Sequence, residues 1–98
     1  MTNNITIRPI ALEEIESAWL WYEHRRKGLG NDFLLCVEES LEKISRNPDL
    51  HPVVHKKIRR ALIRRFPYGI LYFIEKDKIV LVGVFHGRRN PKQWKNRV

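Results

Sequence analysis

Two stretches carry side chains whose types and spacing could do chemistry. The first is His86-Gly87-Arg88-Arg89-Asn90-Pro91. An imidazole beside guanidinium groups can pass a proton while the arginines steady a phosphate's charge. The plainer alternative is a loop histidine that hydrogen-bonds backbone. The second stretch is Lys56 to Arg65, in which six of ten residues are cationic: Lys56, Lys57, Arg59, Arg60, Arg64 and Arg65. The other four, Ile58, Ala61, Leu62 and Ile63, are apolar, so the run belongs in a packed element and carries its charges there. Read as a strand, one face takes Ile58, Arg60, Leu62, Arg64 and Phe66, and the other Lys57, Arg59, Ala61, Ile63 and Arg65. Neither face is clean, which points to a bulge or a partly open sheet face. An edge strand also uses cations against aggregation. Six in ten exceeds that need, so a surface for an acidic protein or another polyanion is the reading taken forward.

Trp94 lies among Lys92, Lys95 and Arg97. It either stacks on a base or partner protein or packs the last turn against the sheet. His24, His51 and His55 show no metal-ligand spacing with Cys36 or the carboxylates, so no metal is expected. No glycine-rich phosphate loop stands out, and no cofactor is expected. Glu38 and Glu39 read as the solvated side of a helix.

Ninety-eight residues make one domain, 1–98, able to bury one modest core. The net charge of +8 is unevenly spread. Residues 1–50 hold six Lys/Arg and nine Asp/Glu, a net of −3; residues 51–98 hold thirteen and two, a net of +11. The second half therefore favours polyanions or acidic proteins. Cys36, in an apolar helical pattern, reads as a buried free thiol. Met1-Thr2-Asn3-Asn4 opens no signal peptide, and the apolar runs Ile70–Ile74 and Ile79–Phe85 are too short to span a bilayer. A cytoplasmic protein with no membrane partner is expected.

The elements that position these residues follow from periodicity. Ile5 to Pro9 alternates as a short strand. Across Ala11–Lys27, Leu12, Ile15, Ala18, Trp19 and Tyr22 recur at helical spacing, with Trp21 off the stripe. Gly28-Leu29-Gly30 breaks this helix, and Asn31 or Asp32 caps the next. Leu34, Val37, Leu41 and Ile44 form its stripe, and Asn47-Pro48 ends it near Arg46. Strands are expected near Val53–Ile58, Arg60–Phe66, Gly69–Glu75 and Ile79–His86, the first two either separate or a single strand. Pro91 opens a last helical turn carrying Trp94. The expected fold is α+β: an N-terminal strand, then a two-helix antiparallel hairpin packed on a three- to four-stranded antiparallel sheet, then a short C-terminal helical turn.

Several of these segments resemble RelE/ParE-type toxins of bacterial type II toxin–antitoxin systems. Ala11-Leu12-Glu13-Glu14-Ile15 through Trp21-Tyr22-Glu23, Gly28-Leu29-Gly30, Phe33 and Asn47-Pro48 are similar to the family's first half. Arg59-Arg60-Ala61-Leu62, Phe66-Pro67-Tyr68-Gly69-Ile70-Leu71-Tyr72, His86-Gly87-Arg88-Arg89-Asn90-Pro91 and Trp94 resemble the second half, in its ParE branch. The resemblance implies a growth-arresting toxin with a small cognate antitoxin bearing an acidic segment. It implies DNA gyrase as target for a ParE-like member, and ribosome-bound mRNA for a RelE-like one.

The leading expectation is an interaction toxin that poisons gyrase without chemistry of its own. The alternative is a metal-independent endoribonuclease, in which His86 transfers protons and Arg59, Arg65 and Arg88 stabilise the phosphorane. The resemblance places Lys57 in a comparable region, but the terminal catalytic tyrosine of ribonuclease members is absent. A generic basic nucleic-acid-binding module is the third expectation. Lys56, Lys57, Arg60, Arg64 and Trp21 are expected to meet the antitoxin or another polyanion, and Arg89, Trp94 and Arg97 the target.

Overall fold

The computed structural model describes residues 4–97. The elements run β1 (Asn4–Ile7), α1 (Pro9–Arg25), α2 (Leu29–Arg46), β2 (Val53–His55), β3 (Ile58–Leu62), β4 (Tyr68–Glu75), β5 (Lys78–His86) and α3 (Lys92–Lys95). The fold is α+β, and no helix among the described residues is long and apolar enough to cross a membrane. The sheet has five strands rather than three or four, in the order β1-β5-β4-β3-β2. It is also not wholly antiparallel. β1 pairs parallel with β5, Asn4 opposite Lys78 through Ile7 opposite Leu81. Pro9 at the first helical position ends β1 and starts α1, where its missing N–H costs nothing.

The basic run is not one strand. Lys56, with φ 51°, turns β2 back into β3, and Arg65, with φ 73°, turns β3 toward β4. Only Ile58–Leu62 is extended, and there the side chains alternate as expected. Ala61 joins the core under the helices, and Ile58 the core on the opposite face.

Each face of the sheet therefore has its own core. The helical hairpin covers one with Ala11, Ile15, Ala18 and Tyr22 of α1 and Phe33, Cys36, Val37 and Ile44 of α2. Leu12, expected on the stripe, is half-exposed, because the buried row of α1 starts one residue earlier at Ala11. Cys36 is buried and free, as expected. On the other face Trp94 of α3 closes over Ile58, Leu71, Phe73, Val82 and Phe85.

Gly28 takes φ +90° between the helices, a conformation glycine adopts at little cost. The expected cap at Asn31 or Asp32 is replaced by Glu23. Its carboxylate accepts the N–H groups of Gly28 and Gly30, both at 3.0 Å. Asn31 instead accepts the Trp19 indole N–H at 3.2 Å. Gly30 must be small, since a Cβ there would lie 2.7 Å from the Trp19 carbonyl.

Candidate functional site

α1 carries a second row beside its buried one. Ile10, Glu14, Ser17 and Trp21, spaced by four, three and four, line one wall of a groove of about 810 Å³. The other wall is Pro67 and Tyr68 at the start of β4, Val84 and His86 on β5, and Arg88 and Arg89 beyond it. The groove exists because β1 stops opposite Leu81, so no strand flanks the last part of β5 on that side.

Aromatic rings stiffen its base. Tyr22 meets Phe66 at 4.8 Å and Phe33 at 5.4 Å, and Phe33 meets Tyr68 at 5.3 Å. Burial pushes the Tyr22 phenol above its ordinary value, and nearby Tyr68 adds to this. Burial also raises Tyr68, with Arg89 pulling it back. Trp21 stands half-exposed at the rim, its edge on Tyr22 and the Arg25 guanidinium 4.3 Å over its ring.

Glu14 sits in the groove wall with its charge already engaged. It accepts the Val84 N–H at 3.0 Å and the Arg97 guanidinium at 3.0 and 3.1 Å, and Arg89 lies 4.0 Å away. Arg97 also donates to the Val82 carbonyl at 2.9 Å. The pair thus does for the uncovered edge of β5 part of what a neighbouring strand would do.

His86 lines the groove, its ring edge-on to Tyr68 at 5.3 Å. Its Nδ1 accepts the Arg88 backbone N–H at 3.1 Å. In the neutral ring the proton then sits on Nε2. This is the loop-supporting arrangement weighed as the alternative to proton transfer.

The four residues of the ribonuclease expectation are not assembled. His86 pairs with Tyr68 and Arg59 with Tyr72, four residues along β4 on its two sides. The backbone positions differ by ~13 Å along the strands and ~10 Å across them. Arg59 is committed to the loop before β2, donating to Asp49 O at 2.9 Å and His51 O at 2.6 Å. Arg65 lies 4.0 Å from Asp32 on α2. Arg88 alone joins His86 at the groove.

The remaining expected residues divide. Arg64 is bound to Glu39 of α2 at 2.9 and 3.3 Å, a pairing that lowers the Glu39 carboxyl below its ordinary value. Lys56 and Arg60 are exposed, and the Lys57 ammonium sits 4.2 Å over the Phe73 ring. Arg89 reaches the groove, but Trp94 is buried and Arg97 is clamped by Glu14, so neither faces a target. Trp94 takes its packing alternative because the helix-free face needed an apolar cover. Trp21 is the expected residue that reaches the groove from the hairpin. Sequence reasoning missed Ile10, Glu14, Ser17 and Val84; only the off-stripe position of Trp21 hinted at a second working face of α1. Among the described residues no three His, Cys, Asp or Glu side chains gather as a metal site.

No curated protein sequence matches the chain. Among solved structures, the chromosomal ParDE toxin–antitoxin system of P. aeruginosa contains a chain of the same fold. It has a TM-score of 0.77 at 9% identity, over 87% of this chain and 96% of that one. The RelBE2 toxin–antitoxin complex of Mycobacterium tuberculosis contains another, with a TM-score of 0.59 at 17% identity, over 88% and 99%. The family model for the ParE toxin of type II toxin–antitoxin systems matches residues 5–91, from β1 to the loop beyond β5, so the chain belongs to the ParE toxin family.

Proposed function

We propose that this chain is a growth-arresting toxin that docks on DNA gyrase through the groove between α1 and the ends of β4 and β5, with no bond-making step of its own. The observation that carries the reading is the contrast between two constellations. The groove is open, aromatic-based and rimmed by Trp21, Arg88 and Arg89, as an interface anchor site is. The His86, Arg59 and Arg65 set of a ribonuclease is spread apart, with Arg59 bound to the loop before β2 and Arg65 beside Asp32 of α2. Membership of the ParE family supports gyrase as the target. A small cognate antitoxin with an acidic segment fits the same rim. Its occupation of the groove would neutralise the toxin by exclusion. Both partners imply a cytoplasmic setting.

The test runs two reactions side by side. Purified protein is added to gyrase with supercoiled plasmid, and separately to ribosomes carrying message. The expected outcome is accumulation of cleaved DNA with intact RNA, and loss of the effect in the Trp21→Ala/Arg88→Gln variant. Discrete RNA cuts that vanish in His86→Ala would overturn the proposal in favour of ribonuclease chemistry.

A further inference from the structure

The two layers of the molecule carry opposite charge. Eight of the eleven carboxylates lie on the helices: Glu13, Glu14, Glu16, Glu23, Asp32, Glu38, Glu39 and Glu42. Cations collect on the other side. Arg60 is in register with Leu71, whose side chain belongs to the helix-free core, so Arg60 rises from that face. The Lys57 ammonium lies 4.2 Å and the Arg8 guanidinium 5.4 Å over Phe73 of the same core. Lys92 and Lys95 stand exposed on α3, whose Trp94 is set into it. Carboxylates are sparse here: Glu75 and Asp77 lie at one corner, beside Lys76 and Lys78.

We propose that this helix-free face is a binding surface for the phosphate backbone of duplex DNA. It is a different surface from the groove and does not rest on the gyrase reading. Four observations favour a duplex as the occupant. The cations are spread over a broad face rather than converging on a point. The molecule measures 40 × 32 × 21 Å, so such a face spans about ten base pairs at ~3.4 Å each. The aromatic rings beneath, Phe73, Phe85 and Trp94, are buried, so none of the three is offered to stack on the splayed bases of single strands or RNA loops. The carboxylates that would repel phosphate are mostly held on the opposite layer. Contacts of this kind read charge and not sequence.

Binding of the full chain to a labelled 20-base-pair duplex of arbitrary sequence, followed by fluorescence anisotropy across salt, tests this. Four to five phosphate contacts give a log–log salt slope of about −4, an affinity loss of about 250-fold between 50 and 200 mM salt. The exposed variant Arg60→Gln/Lys92→Gln/Lys95→Gln is expected to flatten the slope by about 3 and weaken binding at least about tenfold at 50 mM. Lys27→Gln/Lys43→Gln plus Arg46→Gln removes the same charge from the helical layer and is expected to stay within about threefold of the parent. Equal losses in the two triple variants would overturn the proposal, leaving net charge as the cause. Tighter binding to single-stranded DNA or to duplex RNA of the same length would also overturn it.

Discussion

Replacing Glu14 by glutamine keeps the size of the side chain and removes its charge. In the native protein this carboxylate ties three segments: α1, the uncovered edge of β5 and the C-terminal turn. It accepts two guanidinium hydrogen bonds from Arg97, at 3.0 and 3.1 Å, and one from the Val84 N–H. The two side chains are only 14% and 15% exposed. Breaking a fully buried ion pair costs ~3–5 kcal/mol, mostly because the remaining charge is stranded. Partial exposure lets water reach Arg97, and glutamine can still accept one hydrogen bond, so about 2 kcal/mol is expected for Glu14→Gln. A domain of this size holds on the order of 5–10 kcal/mol in total and moves ~4–8 °C per kcal/mol. Thermal unfolding followed by circular dichroism should therefore show the variant melting about 8–16 °C lower. Arg97→Met, which keeps apolar cover over Phe85, should cost a similar amount, and the double variant little more than either. A coupling energy below ~0.5 kcal/mol in that cycle would refute the reasoning, because the two side chains would then act independently.

Three further expectations concern other parts of the fold. Burial pushes the Tyr72 phenol up to about 12 while it donates to the Pro48 carbonyl at 2.7 Å. The folded chain keeps this proton after the unfolded chain loses its own near pH 10. Stability is thus full below pH 10 and falls as pH rises from 10 to about 12, and Tyr72→Phe should flatten that part of the stability curve in urea titrations. At Gly28, where a Cβ would meet nothing within 4 Å, alanine should cost ~1 kcal/mol through backbone strain alone and asparagine less, read as shifts in the urea midpoint. Trp94→Ala should lose ~3–5 kcal/mol by emptying the helix-free core, while Trp21→Ala should stay within ~0.5 kcal/mol. Equal losses at the two tryptophans would contradict their placement.

The order of elements was legible in the sequence because it rests on local period. The stripe of α2, the apolar runs of β4 and β5 and the Pro91 turn all follow from spacing. What was not legible depends on partners distant in the chain. Nothing near Asn4–Ile7 says that it pairs parallel with residues 78–81, and this pairing made the sheet larger than expected. The breaks in the basic run fall at Lys56 and Arg65, neither of which is a residue type that announces a positive φ. A row of cations therefore looked like one strand. The groove was hidden for a related reason. Its wall at Glu14 is built by Arg97, 83 residues away, so the sequence presented Arg97 as a free contact residue when its charge was already committed. Residues in the family-like Phe66-Pro67-Tyr68 and His86–Pro91 segments did mark the opposite wall.

The parallel pairing of β1 with β5 also sets a clock. A ribosome adding about 5–20 residues per second takes roughly 4–15 s to move from the first strand to its partner. Throughout that interval β1 has no neighbour, and the apolar segment of β4 waits for the strand that will flank it on one side. Long-range closure of this kind is slow compared with forming a helical hairpin. Synthesis therefore opens a window in which the nascent chain lacks β5, and with it the wall of the groove that Val84 and His86 form.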